Sequence, residues 1–220
     1  MAQIVVFGCG DVAATLQFFL EHDSPHEVVA FTVDAAYRNQ DTHMGLPVVA
    51  FEEVEAKFGP SDHELMIPLG FAQMNALRAD KCEAAKAKGY RLGSYVSSKA
   101  ATWPGLDIGE NTMIYENVTV HPFTKIGNDV VIAPNSVIAH HCQIGDHTYI
   151  AAGVAFSSSV IVEPSCVLGA GAAIRDRVTL GKATLVGAGA TVMEDTEPES
   201  VYMGEPADRM GMKSTSLPLT

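Results

Sequence analysis

From Ile108 onward the sequence can be written in consecutive sixes: IGENTM, IYENVT, VHPFTK, IGNDVV, IAPNSV, IAHHCQ, IGDHTY, IAAGVA, FSSSVI, VEPSCV, LGAGAA, IRDRVT, LGKATL and VGAGAT. The first position of each six is Ile, Val, Leu or Phe, and the fifth is Thr, Val, Ser, Cys or Ala. An α-helix repeats about every 3.6 residues and a β-strand about every two, so neither holds a period of six over this length. A period of six is typical of a parallel β-helix.

The repeat predicts which side chains fill the core of that β-helix. Three sides of six residues make one coil, so each first-position residue stacks on its counterpart eighteen residues later. The fifth position also points inward and is small, because a bulky residue would overfill the narrow interior. The second position is Gly or Ala in nine of the fourteen sixes, and we expect its glycines to allow the backbone conformations of the corners. Cys142 and Cys166 hold fifth positions, which predicts buried small residues rather than nucleophiles.

Ahead of the repeat, residues 1–95 alternate between short apolar strands and helical patterns. This order predicts a small parallel sheet with helices on both faces. The predicted strands cover residues 3–7, 27–33, 64–69 and 91–96, and the predicted helices cover residues 11–20, 51–58 and 72–88. The fold class is therefore α/β plus β. A Rossmann-like domain spans residues 1–95, and a β-helix domain with a C-terminal tail spans residues 96–220.

The turn GCGDVA at residues 8–13 follows the first strand and has the form GxGxxA. Backbone N–H groups at the start of the following helix could bind a phosphate there, although a purely structural tight turn gives the same pattern. A dinucleotide site needs two mononucleotide-binding halves, and only about one fits before the repeat, so a nucleotide-linked sugar is favoured over NAD. The predicted substrate-binding residues are Gly8, Gly10, Asp11, Gly70 and Asp34, the last of which could hold a ribose or sugar hydroxyl.

The composition excludes several classes of protein. Of the 220 residues 47% are hydrophobic and 18% charged, which is too apolar for a disordered chain. A net charge of −12 argues against a nucleic-acid binder, which depends on neutralising phosphates. We find no transmembrane or secretory segment and no CxxC pair among the four cysteines, so we expect a cytoplasmic protein with free thiols and no membrane insertion.

Three histidines fall in predicted turns of the repeat, where side chains face outward. His140 and His141 are third and fourth in their six, and His147 is fourth in the next. A zinc site would need three ligands that converge on one point, and these histidines could meet only around a corner or across a subunit boundary. We therefore favour a catalytic base or plain surface histidines over a metal site.

A short nucleotide-binding-like domain followed directly by hexapeptide repeats resembles the NeuD/PglD family of bacterial sugar acetyltransferases. The resemblance covers nearly the whole chain, from residue 8 to residue 210. Its specific marks are Gly8-x-Gly10, Asp34, the segment IAHHCQIGDHTYI at residues 138–150 and the ending VYMGEPADRM at residues 201–210, which is similar to the G-x-P-A-K/R tail of the family.

The resemblance implies a left-handed β-helix and a homotrimer that N-acetylates a nucleotide-linked amino sugar in the biosynthesis of a surface polysaccharide or glycan. Acetyl-CoA would lie along the β-helix between subunits, and the sugar between the N-terminal domain of one subunit and the β-helix of the next. His140 matches the catalytic histidine of the family, which implies a general base for direct attack on the thioester. Backbone N–H groups would stabilise the tetrahedral oxyanion.

Two positions depart from the family pattern. Many relatives have Glu or Asp after the catalytic histidine, where this sequence has His141, so another acid such as Glu116 or Asp129 could take that role. Some relatives have a second histidine nine residues further on, where Tyr149 stands here and could donate to the thioester carbonyl.

The family pattern also implies residues that contact CoA. Small residues would let the backbone approach the pantetheine arm, and basic residues would hold the phosphates. These residues are Ser158, Gly169, Ala170, Gly187 and Ala188 for the arm, and Lys182, Arg209 and Lys213 for the phosphates. Lys182 could equally be a solvated corner residue.

Two other functions stay open on the sequence alone. The first is O-acetylation, for example of a sialic-acid-like sugar, because nothing in the sequence separates amine from hydroxyl acceptors. The second is a non-catalytic β-helix that acts as a scaffold or sensor. His140 on a turn argues against the scaffold, whereas the missing acid at position 141 argues for it.

Overall fold

Residues 2–207 are described by the computed structural model, and the first part of the chain forms a six-stranded sheet with helices. Its elements are β1 (Gln3–Phe7), α1 (Asp11–Asp23), β2 (Glu27–Val33), β3 (Thr42–His43), β4 (Leu46–Ala50), α2 (Val54–Lys57), β5 (His63–Met66), α3 (Ala76–Ala87) and β6 (Arg91–Leu92). The strand order is β3-β4-β2-β1-β5-β6, and only β3 and β4 pair antiparallel. The chain leaves β1 for β2 on one side and returns to β5 on the other, so the crevice between β1 and β5 is the topological switch point.

Alternation along β1 explains the two layers of helices. Ile4 and Val6 pack in a buried cluster with α1, whereas Val5 and Phe7 pack on the opposite face in a cluster that includes residues of α2 and α3. Successive side chains of a strand point to opposite faces, so an uninterrupted apolar run is buried on both sides. The prediction of a sheet covered on both faces is confirmed.

Several predicted boundaries in this part are wrong. Helix α3 begins at Ala76 rather than residue 72, because Gln73, Met74 and Asn75 have positive φ. The amide of Asn75 donates to backbone carbonyls of the β-helix, which ends the loop at that point. The predicted helix over residues 51–58 is a 3₁₀ turn followed by the short α2, and the β3–β4 pair was not predicted. The predicted strand over residues 91–96 is two strands in two different sheets.

From residue 95 onward, two-residue strands form the three faces of a parallel β-helix. The first face contains β7 (Tyr95–Val96), β9 (Met113–Ile114), β12 (Val131–Ile132), β15 (Tyr149–Ile150), β18 (Val167–Leu168), β21 (Leu185–Val186) and β23 (Val201–Tyr202). The second face contains β10 (Thr119–Val120), β13 (Val137–Ile138), β16 (Ala155–Phe156), β19 (Ala173–Ile174) and β22 (Thr191–Val192). The third face contains β8 (Asp107–Ile108), β11 (Lys125–Ile126), β14 (Gln143–Ile144), β17 (Ile161–Val162) and β20 (Thr179–Leu180).

The core of the β-helix is the one that the repeat predicts. Every first-position residue is buried except Ile108, which is half-buried at the end of the stack, and every fifth-position residue is buried. Strands pair in register with the strand eighteen residues later, as Ile132 does with Ile150. The register of six and the burial of Cys142 and Cys166 are therefore confirmed.

The expected role of the second-position glycines is wrong. Positive φ falls at the fourth position of the sixes, for example at His141 with φ 62° and His147 with φ 59°. The second-position glycines serve close stacking instead. A Cβ on Gly145 would lie 2.7 Å from the carbonyl oxygen of Val162 in the next coil, so no larger residue fits without a backbone shift.

Each coil has three corners, named here by the faces that they join. The first corner joins the first and second faces and includes residues 115–118, 133–136, 151–154, 169–172 and 187–190. The second corner joins the second and third faces and includes residues 121–124, 139–142, 157–160 and 175–178. The third corner returns to the first face and includes residues 109–112, 127–130, 145–148, 163–166 and 181–184.

The N-terminal part packs on the first face of the β-helix. Tyr95, Met113, Tyr115 and Val131 belong to the same buried cluster as α1 and one face of the sheet. Since the two parts share a hydrophobic core, the division between residues 95 and 96 stays a prediction about folding units. At this boundary the strands change partner: β6 pairs with β5 in the N-terminal sheet, and β7 pairs with β9 in the first face of the β-helix.

The carboxylate of Asp23, at the end of α1, is a polar anchor across this junction. It accepts hydrogen bonds from the Tyr95 hydroxyl at 2.7 Å, the Ser97 hydroxyl at 2.8 Å, and both the backbone N–H and the hydroxyl of Ser98. Hydroxyl donation from Ser98, followed by that from Tyr95, holds the pKa of Asp23 well below its usual range.

We expect Asp23→Asn to flatten the acid side of the stability profile. A carboxylate with a depressed folded-state pKa stabilises the fold fully above its unfolded pKa of about 3.9, and this contribution declines progressively as pH falls from that value through the lower folded-state pKa. The variant should therefore melt at a lower temperature than the native chain at pH 7, and the difference should shrink towards pH 3. Melting temperatures across this range would test the prediction, and a constant difference would contradict it.

Candidate active site

His140 and His141 lie side by side on the second corner, and both are exposed. Their Nδ1 atoms are 2.9 Å apart, which is a hydrogen bond in which one ring donates and the other accepts. The left-handed backbone at His141 turns its ring towards His140 and onto the ring of Phe123 one coil below, at a centroid distance of 4.8 Å. The corner therefore presents two coupled imidazoles to solvent.

This pair can supply a base. If His140 donates its Nδ1 proton to His141, the Nε2 atom of His140 carries the free lone pair and points away from the shared bond. When Nε2 then takes a proton, His141 still accepts from Nδ1 and orients the imidazolium. A neutral ring stabilises that cation less than a carboxylate would.

Neither acid that the sequence suggested lies beside His140. Asp129 is buried on the third corner, where its carboxylate binds three other side chains. Glu116 lies on the first corner, at the edge of a cavity described below. Within the chain, His141 is the side chain that bonds to the His140 ring among the described residues.

A cavity of about 320 Å³ lies at the topological switch point of the sheet, between the N-terminal part and the first face. We call it the junction cavity. Asp11 and Thr15 of α1 line one wall, and the loop that contains Gly70 after β5 lines another. Tyr115, Glu116 and Tyr149 line the wall formed by the β-helix. Open α/β sheets bind ligands at this point, at the carboxyl ends of their strands.

A second cavity of about 450 Å³, the corner cavity, lies on the second corner one coil below His140. His121, Phe123 and Lys125 line it together with Trp103. Trp103 and Phe123 are 60% and 75% exposed, so a large apolar surface lies next to the histidine pair.

The two centres lie on opposite sides of the β-helix. The junction cavity opens on the first face, and the corner between the second and third faces is the vertex opposite that face of the triangle. One chain therefore does not bring His140 to the cavity that holds Asp11 and Gly70. Chemistry that needs both would use the cavity of one chain and the corner of another.

A buried ionic network shapes the loop that closes the junction cavity. The Arg78 guanidinium, fully buried in α3, binds the Asp129 carboxylate at 2.7 Å and donates to the carbonyls of Leu69 and Gly70. Asp129 also accepts from the Asn111 amide at 2.8 Å and lies 2.9 Å from Nδ1 of His147. His147, which the sequence left as a candidate base, ligand or surface residue, is therefore part of this network.

The predicted substrate residues follow strands β1, β2 and β5 at one edge of the sheet. Asp11 and Gly70 line the junction cavity, whereas Gly8, Gly10 and Asp34 do not. Gly8 has φ +109° and caps the turn by donating its N–H to the carbonyl of Thr32, so the turn needs glycine there. The carboxylate of Asp34 is paired with Lys81 at 2.5 Å. Contact of these five residues with a substrate stays a prediction.

The predicted CoA residues are spread over three corners and one face. Gly169, Ala170, Gly187 and Ala188 share the first corner. Ser158 lies on the second corner directly above His140, Lys182 lies exposed on the third corner, and Tyr149 lies on the first face. Arg209 and Lys213 fall outside the described residues 2–207. These assignments also stay predictions.

Sequence reasoning missed several polar residues near the two centres. Arg175 and Arg177 lie exposed on the second corner, two coils above His140, and the period of six could have found them. Arg78 belongs to no motif in the sequence, because nothing distinguishes it from the other polar residues of its helix. Glu116 was considered only as a partner of His140, and its place in the junction cavity depends on the docking of the two parts of the chain.

Tyr115 and the cysteines stay neutral near pH 7. Burial, with smaller contributions from neighbouring tyrosines and Glu116, raises the pKa of the Tyr115 hydroxyl. Burial likewise raises the pKa of Cys142, and it raises that of Cys166 to about 11. Among residues 2–207, no group of three or more His, Cys, Asp or Glu side chains is arranged to hold a metal ion. No helix in the same range is long and apolar enough to cross a membrane.

Comparison with known sequences gives one family. The sequence model of the family described as bacterial transferase hexapeptide (six repeats) matches residues 105–140 and 123–157. A search of curated proteins finds no match.

Comparison with solved structures gives matches over both parts of the chain. The acetyltransferase domain of PglB from Neisseria gonorrhoeae FA1090 is 21% identical with a TM-score of 0.82, and the match covers 96% of this chain and 100% of that one. A histidine-to-alanine mutant of GDP-perosamine N-acetyltransferase from Caulobacter crescentus, in complex with CoA and GDP-perosamine, is 23% identical with a TM-score of 0.83 and coverages of 96% and 98%. WeeI from Acinetobacter baumannii AYE is 19% identical with a TM-score of 0.67 and coverages of 94% and 99%.

These matches establish the fold. A Rossmann-like domain followed by a left-handed parallel β-helix is the architecture of the sugar acetyltransferases of the NeuD/PglD type, and this chain has it over nearly its whole length. The resemblance stated from the sequence is therefore confirmed at the level of the fold.

Proposed function

We propose that this chain is an acetyltransferase that moves an acetyl group from acetyl-CoA to the amino group of a nucleotide-linked sugar. The observation that carries the proposal is the complete two-part fold. It matches, over 96% of the chain, a structure that holds CoA and GDP-perosamine. A fold alone hosts many functions, so the chemistry is argued from the two centres described above.

His140 would act as the general base. Its Nε2 atom takes a proton from the acceptor nitrogen while the nitrogen lone pair attacks the thioester carbon, and His141 holds the ring through the shared Nδ1 proton. The new C–N bond forms as the C–S bond breaks, and the proton can then pass to the leaving CoA sulfur. A thioester is already an activated acyl group, so the reaction needs no covalent enzyme intermediate.

Two corners of the β-helix offer surface for acetyl-CoA. Glycine and alanine make up the first corner at residues 151–153, 169–171 and 187–189, which are exposed or half-buried apart from Gly187, and a pantetheine arm could lie close to the backbone there. On the second corner, Ser158 lies one coil above His140, and the exposed Arg175 and Arg177 lie two coils above it, where they could bind phosphates. We assign the pantetheine arm of CoA to the first corner and its phosphates to Arg175 and Arg177. Lys182 on the third corner is a further candidate for the phosphates.

A homotrimer would complete the site. The junction cavity and His140 lie on opposite sides of one β-helix, so a second chain has to bring its corner to the cavity of the first. Head-to-tail contacts of this kind close into a ring when three chains are related by a threefold axis. The exposed Trp103 and Phe123 beside His140 supply apolar surface for that contact.

The reaction is consistent with a cytoplasmic location. All four cysteines are free thiols, and three of them are buried within the fold. A reducing compartment keeps such thiols reduced.

Release of free CoA provides the direct test. We expect the purified chain to release thiol from acetyl-CoA only when an amino sugar linked to UDP, dTDP or GDP is present, and to yield an acetylated amine detectable by mass spectrometry. A thiol reagent in a continuous absorbance assay reports the rate. Absence of turnover with all three classes of nucleotide-linked amino sugar would overturn the proposal.

A further inference from the structure

The junction cavity has an unusual balance of charge for a site that would hold part of a nucleotide-linked sugar. Two carboxylates line it, Asp11 from α1 and Glu116 from the first corner of the β-helix. No Lys, Arg or His is among the described residues that line it. Phosphate groups would be repelled by these acids, so the cavity is suited to another part of the substrate.

Glu116 itself has an unsatisfied oxygen. Its Oε2 atom is buried and has no hydrogen-bond partner among the described residues. A buried carboxylate oxygen without a partner is costly, and proteins keep such groups mainly where a ligand supplies the partner. The side chain is only partly buried as a whole, so a ligand in the cavity can reach it.

The rest of the lining favours a cation on a small apolar body. Tyr115 and Tyr149 line the cavity together with Glu116. Apolar side chains, including Val12, Phe19 and Met113, cover much of the remaining wall. Aromatic rings attract cations, and an apolar wall accommodates the methyl group of a deoxy sugar better than it does a hydroxymethyl group.

We infer that Glu116 binds the amino group of the acceptor sugar as an ammonium ion and thereby selects amine acceptors over hydroxyl acceptors. The inference rests on the proposed function and adds to it the residue that would select the amine acceptor. A hydroxyl in the same place could donate one hydrogen bond to Glu116 but would bring no charge to offset the carboxylate.

The proton balance of the reaction is consistent with this role. An alkyl ammonium ion has to lose one proton, which goes to water, before its nitrogen can act as a nucleophile. The neutral amine then attacks the thioester, its second proton goes to Nε2 of His140 of the neighbouring chain, and the CoA sulfur leaves. The net reaction converts ammonium and thioester into amide, free thiol and one released proton. Glu116 is thus a binding and specificity residue, and His140 stays the general base.

Glu116→Gln tests the inference, because it keeps the shape and removes the charge. Loss of a charge-assisted hydrogen bond should raise KM for the amino sugar about tenfold or more, while KM for acetyl-CoA stays unchanged. The variant should also melt at an equal or higher temperature than the native chain, since it replaces a partly buried carboxylate whose Oε2 atom has no hydrogen-bond partner among the described residues. Glu27→Gln is the matched control, because Glu27 is exposed at the start of β2, at the opposite edge of the sheet from the cavity.

Binding separates this inference from the proposed function. Calorimetric titration can compare GDP-, UDP- and dTDP-linked amino sugars with the same compounds carrying hydroxyl in place of the amine. The ratio of the two dissociation constants measures the preference for amine without any turnover. We expect the native chain to prefer amine about tenfold or more and Glu116→Gln to lose that preference. Equal preference in both proteins, or no binding of any amino sugar, would overturn the inference. Turnover without the preference would leave the acetyltransferase function in place.

Discussion

Replacing His140 by alanine should lower turnover about a hundredfold or more while leaving the fold and the oligomer unchanged. The side chain is exposed on a corner and its only described ring partner is His141, so its removal creates no cavity in the core. The loss is expected in kcat rather than in the KM for acetyl-CoA, because the base acts during attack and not during binding. The thiol-release assay gives both constants, and sedimentation reports the oligomer. Turnover within a few-fold of the native value would place the base elsewhere.

Mixed oligomers would show whether His140 works on the cavity of a neighbouring chain. Val12→Trp should block the junction cavity, because Val12 lines it and is exposed enough to carry a larger side chain without repacking the core. After refolding an equal mixture of the His140→Ala and Val12→Trp chains, random assembly should restore about a quarter of the sites if each site uses two chains. No recovery in oligomers shown to be mixed would contradict shared sites.

The role of His141 can be separated from that of His140. His141→Glu should restore the stronger orienting partner that many relatives carry and hold turnover at or above the native level, whereas His141→Ala should lower kcat about tenfold. Because a carboxylate favours the imidazolium, and His140 must be neutral to act as a base, the glutamate variant should also shift the acidic limb of the pH–rate profile to higher pH. Equal rates and profiles in all three proteins would show that His141 does not act through His140.

The second large effect concerns the fold. Asp129→Ala should lower the free energy of unfolding by about 3–5 kcal/mol, because it leaves the Arg78 guanidinium buried without its counterion. The side chains of Arg78 and Asp129 are 0% and 2% exposed, so water cannot replace the missing carboxylate without opening the junction between α3 and the β-helix. Denaturant titration measures the change. The loop at Gly70 loses its anchor at the same time, so KM for the sugar should rise in whatever fraction remains folded.

Asp41→Ala is the matched control for that variant. It breaks the Arg38–Asp41 ion pair, whose side chains are 36% and 88% exposed, and should cost no more than about 1 kcal/mol. If Asp129→Ala were no more harmful than Asp41→Ala, the buried pair would not be the anchor of the junction.

The repeat determined the β-helix without help from the rest of the chain. Each coil contacts only the coils above and below it, so the contacts of residue 132 with residue 150 follow from the spacing alone. The same register placed His140 and His141 on an outward corner and Cys142 and Cys166 in the core. The β-helix and the positions of its corner and core residues were predictable because each coil repeats the same local pattern of six-residue sides.

No local repeat in the sequence predicts how the N-terminal part docks on the first face of the β-helix. This docking placed Arg78 against Asp129, 51 residues away in sequence, and created the cavity in which Glu116 lies. It also put that cavity on the side of the β-helix opposite His140, which is why the proposed reaction would use a second chain. The period determined the fold of the β-helix and the outward position of His140, whereas the charge and shape of the junction cavity arose only from tertiary contacts. Pairing between distant residues depends on how two apolar surfaces fit together, and neither surface reveals its partner in its own sequence.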